Sequence, residues 1–366
     1  MTINDIEKLI NTSWLYEQRT NVAKAKKLTK GQARRIRANQ AKKLRNKAEE
    51  IQWQDEELGA PEQGVVISRF GQHADIENAE GNTFRCNIRR GVDSLVCGDK
   101  VMFRQGKSSE HTVSGVIEAV HERSSALSRP DVYDGLKPVA ANISQIIIVT
   151  TVLPAFNPDI IDRYIVACVQ TGIKPVILMN KADLIDEDLA EIVEEQLDIY
   201  RDIGYQVLYA SSESGSGIDE LRAQLADETS IFVGQSGVGK STLVNTLMPE
   251  LGLLTKQVSE NSGLGQHTTT VARLYHFEQG GDLIDSPGIR EFGLWHLSPE
   301  QVADGFIEFD DYLGTCKFRD CKHVNDPGCA LIAAVQDGDI HPERLASFQR
   351  IVESLSSNTL TTRFKD

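Results

Sequence analysis

The chain has 366 residues, 40% hydrophobic and 25% charged, room for two or three domains with cores of their own, and not the composition of a collagen, a coiled-coil rod or a disordered protein. It carries 39 basic and 53 acidic residues for a net charge of -14, yet residues 1–50 hold 13 basic and 5 acidic ones, leaving -22 on the remainder. A basic arm on an acidic body meets a polyanion locally, not with its whole surface.

Residues 18–48 contain twelve Lys or Arg and no Asp or Glu. Such a segment repels itself until a polyanion neutralises it, so it reads as a nucleic-acid arm, with a solvated tail as the alternative. From about Gly64 to Val120 come short alternating runs, VVISRF, TFRCNIRR, DKVMFR and HTVSGVIEAV, punctuated by glycines. Evenly spaced short strands with glycine turns predict a small closed barrel of the OB type. Phe70, Arg85, Arg89 and Arg90 offer it a stacking ring and phosphate contacts; the alternative is a barrel with a purely structural role.

From Asn142 the rhythm becomes strand, helix, strand. IIIVTTV, KPVILMN, YQVLYA, TSIFVG and DLIDS read as buried parallel strands, with helices near 159–171, 186–203, 218–226 and 240–248. That is an α/β doubly wound pattern. After Gly288 the strands stop and the text turns helical. The longest apolar stretch, residues 143–156, is broken by Ser144 and Gln145 and falls short of the ~18 residues of a membrane span. MTINDIEKLI does not read as a secretory leader, and six cysteines in a chain of this length are not a disulfide framework. A cytoplasmic protein without membrane contact is expected.

The strand TSIFV leads into Gly234, Gln235, Ser236, Gly237, Val238, Gly239, Lys240, Ser241 and Thr242, which fit G-x-x-x-x-G-K-[ST]. Glycines let the backbone curl its N–H groups around phosphate oxygens, Lys240 supplies a positive charge, and the Ser241 hydroxyl suits Mg²⁺. The strand VILM runs into Asn180, Lys181, Ala182 and Asp183. A carboxylate there accepts from both N–H donors of guanine, which adenine does not offer. Asn180 suits the N7 edge, and the Lys181 stem covers a purine face; the rival reading of Asp183 is a helix N-cap. YQVLYA ends at Ser211 and Ser212, whose backbone can reach the guanine oxygen. Asp285 and Gly288, in DSPG after a further strand, suit Mg²⁺ through water and a terminal phosphate. Residues 263–270 read GLGQHTTT, a loop in which a threonine reaches Mg²⁺ only while the terminal phosphate is present. Thr268, Thr269 and Thr270 all qualify. Ile289 stands where many GTPases place a water-orienting glutamine, so slow turnover alone is expected, and His267 is the in-chain candidate for handling water near neutral pH. Finally, Cys316, Cys321, His323 and Cys329 set three thiolates and an imidazole within fourteen residues, a closed set suited to one structural Zn²⁺. Cys86, Cys97 and Cys168 lie outside it and are expected to be buried as small apolar groups.

The order of these parts is unusual: base readers first, the phosphate loop second, the switch motifs last. It closes onto one sheet if the usual termini are joined and the chain is opened elsewhere. On NKAD, GQSGVGKST, GQHTTT, DSPG and the Cys/His cluster, over roughly residues 60–340, the sequence resembles the circularly permuted GTPases, and among them the family that serves biogenesis of the bacterial small ribosomal subunit. With a basic extension, partly helical or disordered, read over 1–60 from its charge run, the resemblance implies an OB-type barrel over 61–127, a circularly permuted α/β P-loop GTPase domain over 128–295 and a helical zinc-binding domain over 296–366. It further implies GTP hydrolysis with Lys240 and His267 in catalysis, Thr269 joining Ser241 on Mg²⁺, and a monomer that binds GTP, GDP and the 30S subunit with its rRNA. The GTP state would favour subunit binding and hydrolysis would favour release.

Overall fold

The computed structural model describes residues 55–92, 94–107, 113–131, 135–250, 272–285 and 297–363. Five strands open the described chain: β1 (Leu58–Phe70), β2 (His73–Asn78), β3 (Thr83–Ile88), β4 (Lys100–Gly106) and β5 (Gly115–Val120). They pair in the order β1-β2-β3-β5-β4, and β1 returns to β4, which closes the barrel. The 13-residue β1 does this by serving both neighbours, its first half paired to β4 and its second to β2, with register shifts that let it bend. Val66, Ile76, Cys86, Leu95, Val101, Phe103 and Ile117 fill the interior. The barrel begins at Leu58, within the span read as extension, and the arm 18–48 lies outside the described residues.

A two-stranded ribbon of β6 (Ala126–Asp131) and β7 (Gly135–Ala141) leads to the central sheet. It straddles the 127/128 boundary expected between barrel and α/β domain. The sheet's strands are β8 (Gln145–Thr150), β9 (Lys174–Asn180), β10 (Gln206–Ala210), β11 (Thr229–Val233), β12 (Arg273–His276) and β13 (Asp282–Asp285). In space they run β10-β9-β8-β11-β13-β12, all parallel except β12. β12 also pairs with β1 through Ser68 and Arg273, so barrel and α/β domain share one eleven-stranded sheet.

Helices α1 (Pro158–Thr171) and α2 (Glu187–Ile203) cover one face; α3 (Ile218–Leu225) and α4 (Lys240–Leu247) cover the other. Period-two alternation explains why β8 is buried throughout and β9 from Val176 onward. Ile146, Ile148, Ile177 and Met179 point into the α1/α2 core, while Ile147, Val149, Val176 and Leu178 point into the α3/α4 core.

The chain ends in α5 (Pro299–Ala303), α6 (Ala330–Asp337) and α7 (Pro342–Arg363). Their core of Val302, Phe306, Phe309, Leu331, Phe348 and Ile351 also takes in Val166 and Ala167 of α1. Thus α1 is a shared wall, sheet on one side and C-terminal helices on the other. The wall is pinned by a buried ionic network. Arg344 bonds to Asp162 and, at 2.6 Å, to Glu308, and the Tyr200 hydroxyl donates to Asp162 at 2.9 Å. Burial alone opposes charge on Arg344, but the two carboxylates outweigh it and hold the guanidinium ionised. Among the described residues no helix is long and apolar enough to cross a membrane.

Candidate nucleotide site and metal centre

The phosphate loop leaves β11 two residues before the end of β8, the register running from Ser230 opposite Gln145 to Val233 opposite Ile148. Close approach dictates its glycines. Gly234 has φ +136°, and a Cβ there would lie 2.2 Å from the Val149 carbonyl oxygen. Gly239 has φ +95°, and its Cβ would lie 2.4 Å from Nδ2 of Asn180. α4 begins at the next residue, so the helix aims its unsatisfied N–H groups back at the loop. Lys240 folds over the loop, its Nζ donating to the carbonyls of Gly234 at 2.7 Å and Gln235 at 2.6 Å.

The turn expected to read the base is tied to the same loop. Asn180, 2% exposed at the end of β9, donates from Nδ2 to the Val238 carbonyl at 2.7 Å. Lys181 follows with φ +55°, and its Nζ donates to the carbonyls of Gly237 and Leu153, both at 2.8 Å. Asp183 is exposed and accepts from the buried Ser211 hydroxyl. Ser211 is itself held by the backbone N–H groups of Glu213 and Ser214, at 3.2 and 3.1 Å. The cap of α2 is Asp186, which accepts from the Leu189 N–H, so Asp183 is not spent on capping. Two buried acceptors at this end have no protein partner among the described residues, Asn180 Oδ1 and Ser212 Oγ.

Residues 180–183, 211–212 and 234–242 therefore converge at the carboxyl ends of β9, β10 and β11, where ligands of open α/β sheets bind. A cavity of about 780 Å³ opens over the loop, lined by Lys181, Gly234, Gln235, Ser236, Gly237, Gly239, Lys240, Ser241 and Thr242 and, from α1, by Ile160, Arg163 and Tyr164. Its size falls within the roughly 300–1,000 Å³ usual for small-molecule sites. Asp183 and Ser211 stand outside it, joined to it through Lys181 and Asn180. Asp285 closes β13 and is exposed. His267, Thr268, Thr269, Thr270 and Gly288 lie outside the described residues. The sequence reading did not single out Arg163, nor the Ser211 hydroxyl as the group orienting Asp183. Both contacts depend on residues far apart in the chain and leave no periodic signal.

Cys316, Cys321, His323 and Cys329 bring their ligand atoms within 4.8 Å of one another. Nδ1 of His323 lies 3.6 Å from the sulfurs of Cys316 and Cys321 and 3.4 Å from that of Cys329. Tetrahedral bonds of about 2.3 Å to sulfur and 2.0 Å to nitrogen require N···S edges near 3.5 Å, which the three N···S distances match. His323 is fixed from behind: its carbonyl accepts from Gln349 at 2.6 Å, and its ring packs edge-on to Phe348 with centroids 6.2 Å apart. Both partners lie on α7, which makes the knuckle an extension of the helical core. Asp326 accepts from the N–H groups of Lys322 and Val324 and shapes the knuckle's turn. Cys86, Cys97 and Cys168 are buried as expected, and burial pushes the Cys86 thiol up to about 12.

A family model described as RsgA GTPase matches residues 120–295. The small ribosomal subunit biogenesis GTPase RsgA 1 of Vibrio parahaemolyticus is 57% identical over 346 residues, covering 94% of this chain and 98% of its own. The small ribosomal subunit biogenesis GTPase RsgA of Pectobacterium atrosepticum is 54% identical, covering 93% and 98%. Among solved structures, YjeQ from Thermotoga maritima superposes with a TM-score of 0.66 at 32% identity, over 81% of this chain and 99% of that one. YloQ, a circularly permuted GTPase, gives 0.64 at 25% identity, over 84% and 99%.

Proposed function

We propose a function from one premise: the chain belongs to the RsgA GTPase family and is a GTP hydrolase. In our reading it binds the small ribosomal subunit late in that particle's assembly, in the cytoplasm and as a monomer. The GTP form favours the bound state and hydrolysis favours release. The relatives named as small-subunit biogenesis GTPases support the partner. The barrel and the basic arm supply rRNA contacts, and the metal knuckle a further one.

The observation that carries the nucleotide site is the pair of hydrogen bonds from Asn180 and Lys181 to the carbonyls of Val238 and Gly237. Through them the base-reading turn and the phosphate loop act as one receptor. Asp183 accepts from guanine, held in place by Ser211, and the residue 211–212 backbone meets the guanine oxygen. The loop N–H groups and Lys240 neutralise the phosphates, which is most of what phosphoryl transfer asks of a protein. Ser241, on the first turn of α4 and lining the cavity, and Thr269 hold Mg²⁺; Asp285 acts through a water, and the Gly288 N–H takes the terminal phosphate. When bound, the ion offsets phosphate charge. His267 orients the attacking water, so turnover depends on what fixes its loop. The four Cys/His ligands hold one zinc ion in a closed, structural set.

Single-turnover GTP hydrolysis with added 30S, 50S or 70S particles tests this. Stimulation by 30S above the other two supports the assignment. Stimulation by 50S alone moves the protein to another assembly, and no hydrolysis under any condition makes it a GTP-dependent binding module.

A further inference from the structure

Three arginines join the wall between the sheet and the C-terminal helices, and two are neutralised by acids. Arg344 meets Asp162 and Glu308; Arg350 meets Asp159 at 2.7 Å and Glu343 at 3.7 Å. The third, Arg163, has no carboxylate among the described residues. Its one acceptor there is neutral: Nη2 donates to the Ser354 hydroxyl at 2.6 Å. That hydroxyl spends its own proton on the Ile351 carbonyl at 2.6 Å, so a lone pair is left facing Arg163. A guanidinium has five N–H donors, so one bond to a hydroxyl leaves both charge and donors over. Arg163 lines the proposed nucleotide cavity with Ile160 and Tyr164, together with Gly234, Ser236 and Lys240 of the loop. A cation without a carboxylate partner among the described residues, sharing a cavity with an anion-cradling loop, suits an anion held in that cavity.

We propose that Arg163 is a second phosphate-side cation of this cavity, and that its bond to Ser354 makes it the positioning residue through which α7 senses the terminal phosphate. The inner phosphates occupy the loop, and the end of a triphosphate extends into the space between the loop and α1. There it draws on donors of a guanidinium whose other end is anchored to α7. Neighbouring bonds favour transmission over slack: Asp159 and Asp162, on the same helix, fasten to Arg350 and Arg344 of α7. A diphosphate stops short of Arg163 and leaves α7 with the serine contact alone.

The inference rests on the cavity being the nucleotide site, and the test separates the two. Full-length Arg163→Gln, Arg163→Lys, Ser354→Ala and Lys240→Ala are titrated with GDP and a non-hydrolysable GTP analogue, with melting temperatures taken without nucleotide. Hydrogen exchange is followed over residues 342–355. Arg163→Gln is expected to weaken the analogue about tenfold or more while GDP and the melting temperature stay near the parent's. Arg163→Lys recovers part of that loss. Ser354→Ala keeps the analogue's affinity but loses the extra protection of 342–355 that the analogue gives over GDP. Parental affinity for both nucleotides in Arg163→Gln, or an equal loss of both with a fallen melting temperature, overturns the inference. If Lys240→Ala abolishes binding in that experiment, the nucleotide reading survives; if it binds normally, both fall.

Discussion

Asp183 is exposed, and an exposed carboxylate ordinarily samples several rotamers before it meets a ligand. Ser211 removes that freedom, because its hydroxyl donates to Asp183 while two backbone N–H groups hold its oxygen. The Asp183→Asn change exchanges two acceptors for an acceptor and a donor. It should lower GTP affinity by about a hundredfold and raise that for xanthosine triphosphate, whose base offers the complementary acceptor. Calorimetric titration with the two nucleotides checks this, and unchanged GTP affinity removes the base assignment. Ser211→Ala leaves every base contact in place and loosens only the rotamer, so a smaller loss, several-fold, is expected with guanine preference retained. The residue types were legible in the sequence, since G-x-x-x-x-G-K-S and N-K-x-D each have a chemical reason for every position. The partnerships were not. Lys181 reading as a cover for a purine face says nothing of its bonds to the Leu153 and Gly237 carbonyls, made across 28 and 56 residues of chain.

Elements with strong hydrophobic periodicity came out of the sequence within a residue or two. The helix expected at 186–203 is Glu187–Ile203, and that at 218–226 is Ile218–Leu225. The ones missed have weak patterns. β12 is four residues long with only Leu274 buried, and the β6–β7 ribbon contains Pro130 and Pro138, which argue against strands. β12 repays attention because it joins barrel to sheet and ends in His276. That imidazole lies 2.6 Å from Asp282 on β13 and 2.8 Å from Glu77 on β2 of the barrel. The bond to Asp282, then the charge of Glu77, raise its pKa above the ordinary value against partial desolvation. A pKa raised in the folded state stabilises fully below the unfolded value of about 6.5, and that contribution is lost as pH rises through the folded value. The side chain is 50% exposed, so solvent screening keeps the effect below about 1 kcal/mol. Melting temperatures of the parent and of His276→Gln should therefore converge as pH rises above neutrality and separate below it; parallel curves leave the bridge without a role. The Cys316–Cys329 knuckle would depend in the same way on the ion proposed for it. Because His323 packs on Phe348 and bonds to Gln349, Cys329→Ser or a zinc chelator should loosen α7. Limited proteolysis should then cut the C-terminal region before the α/β domain, whereas simultaneous cleavage would mean the ion does not staple that region.

At the scale of the molecule, the permuted motif order places the exit from β13 and its DSPG motif directly before the C-terminal helices, while α1 binds those helices from the cavity side. The proposed nucleotide site is thus linked to the Cys/His region in two ways, by sequence continuity after Asp285 and by α1, which packs on the C-terminal helices. What the whole molecule lacks is a net attraction for nucleic acid: beyond residue 50 it carries -22, and only the first 50 residues, at +8, oppose that. Phosphate neutralisation by lysine and arginine releases counterions, about 0.7 per phosphate on single strands and 0.9 on duplexes, which sets the slope of log affinity against log salt. If the arm supplies those charges, deleting residues 1–50 should flatten the slope for 30S binding and weaken binding most at low salt. GTP turnover without the subunit should stay as it was. Filter binding at three or four salt concentrations measures both quantities. A slope that survives the deletion transfers the electrostatic contact to the barrel arginines and the basic residues of the metal knuckle, and reduces the arm to a solvated tail.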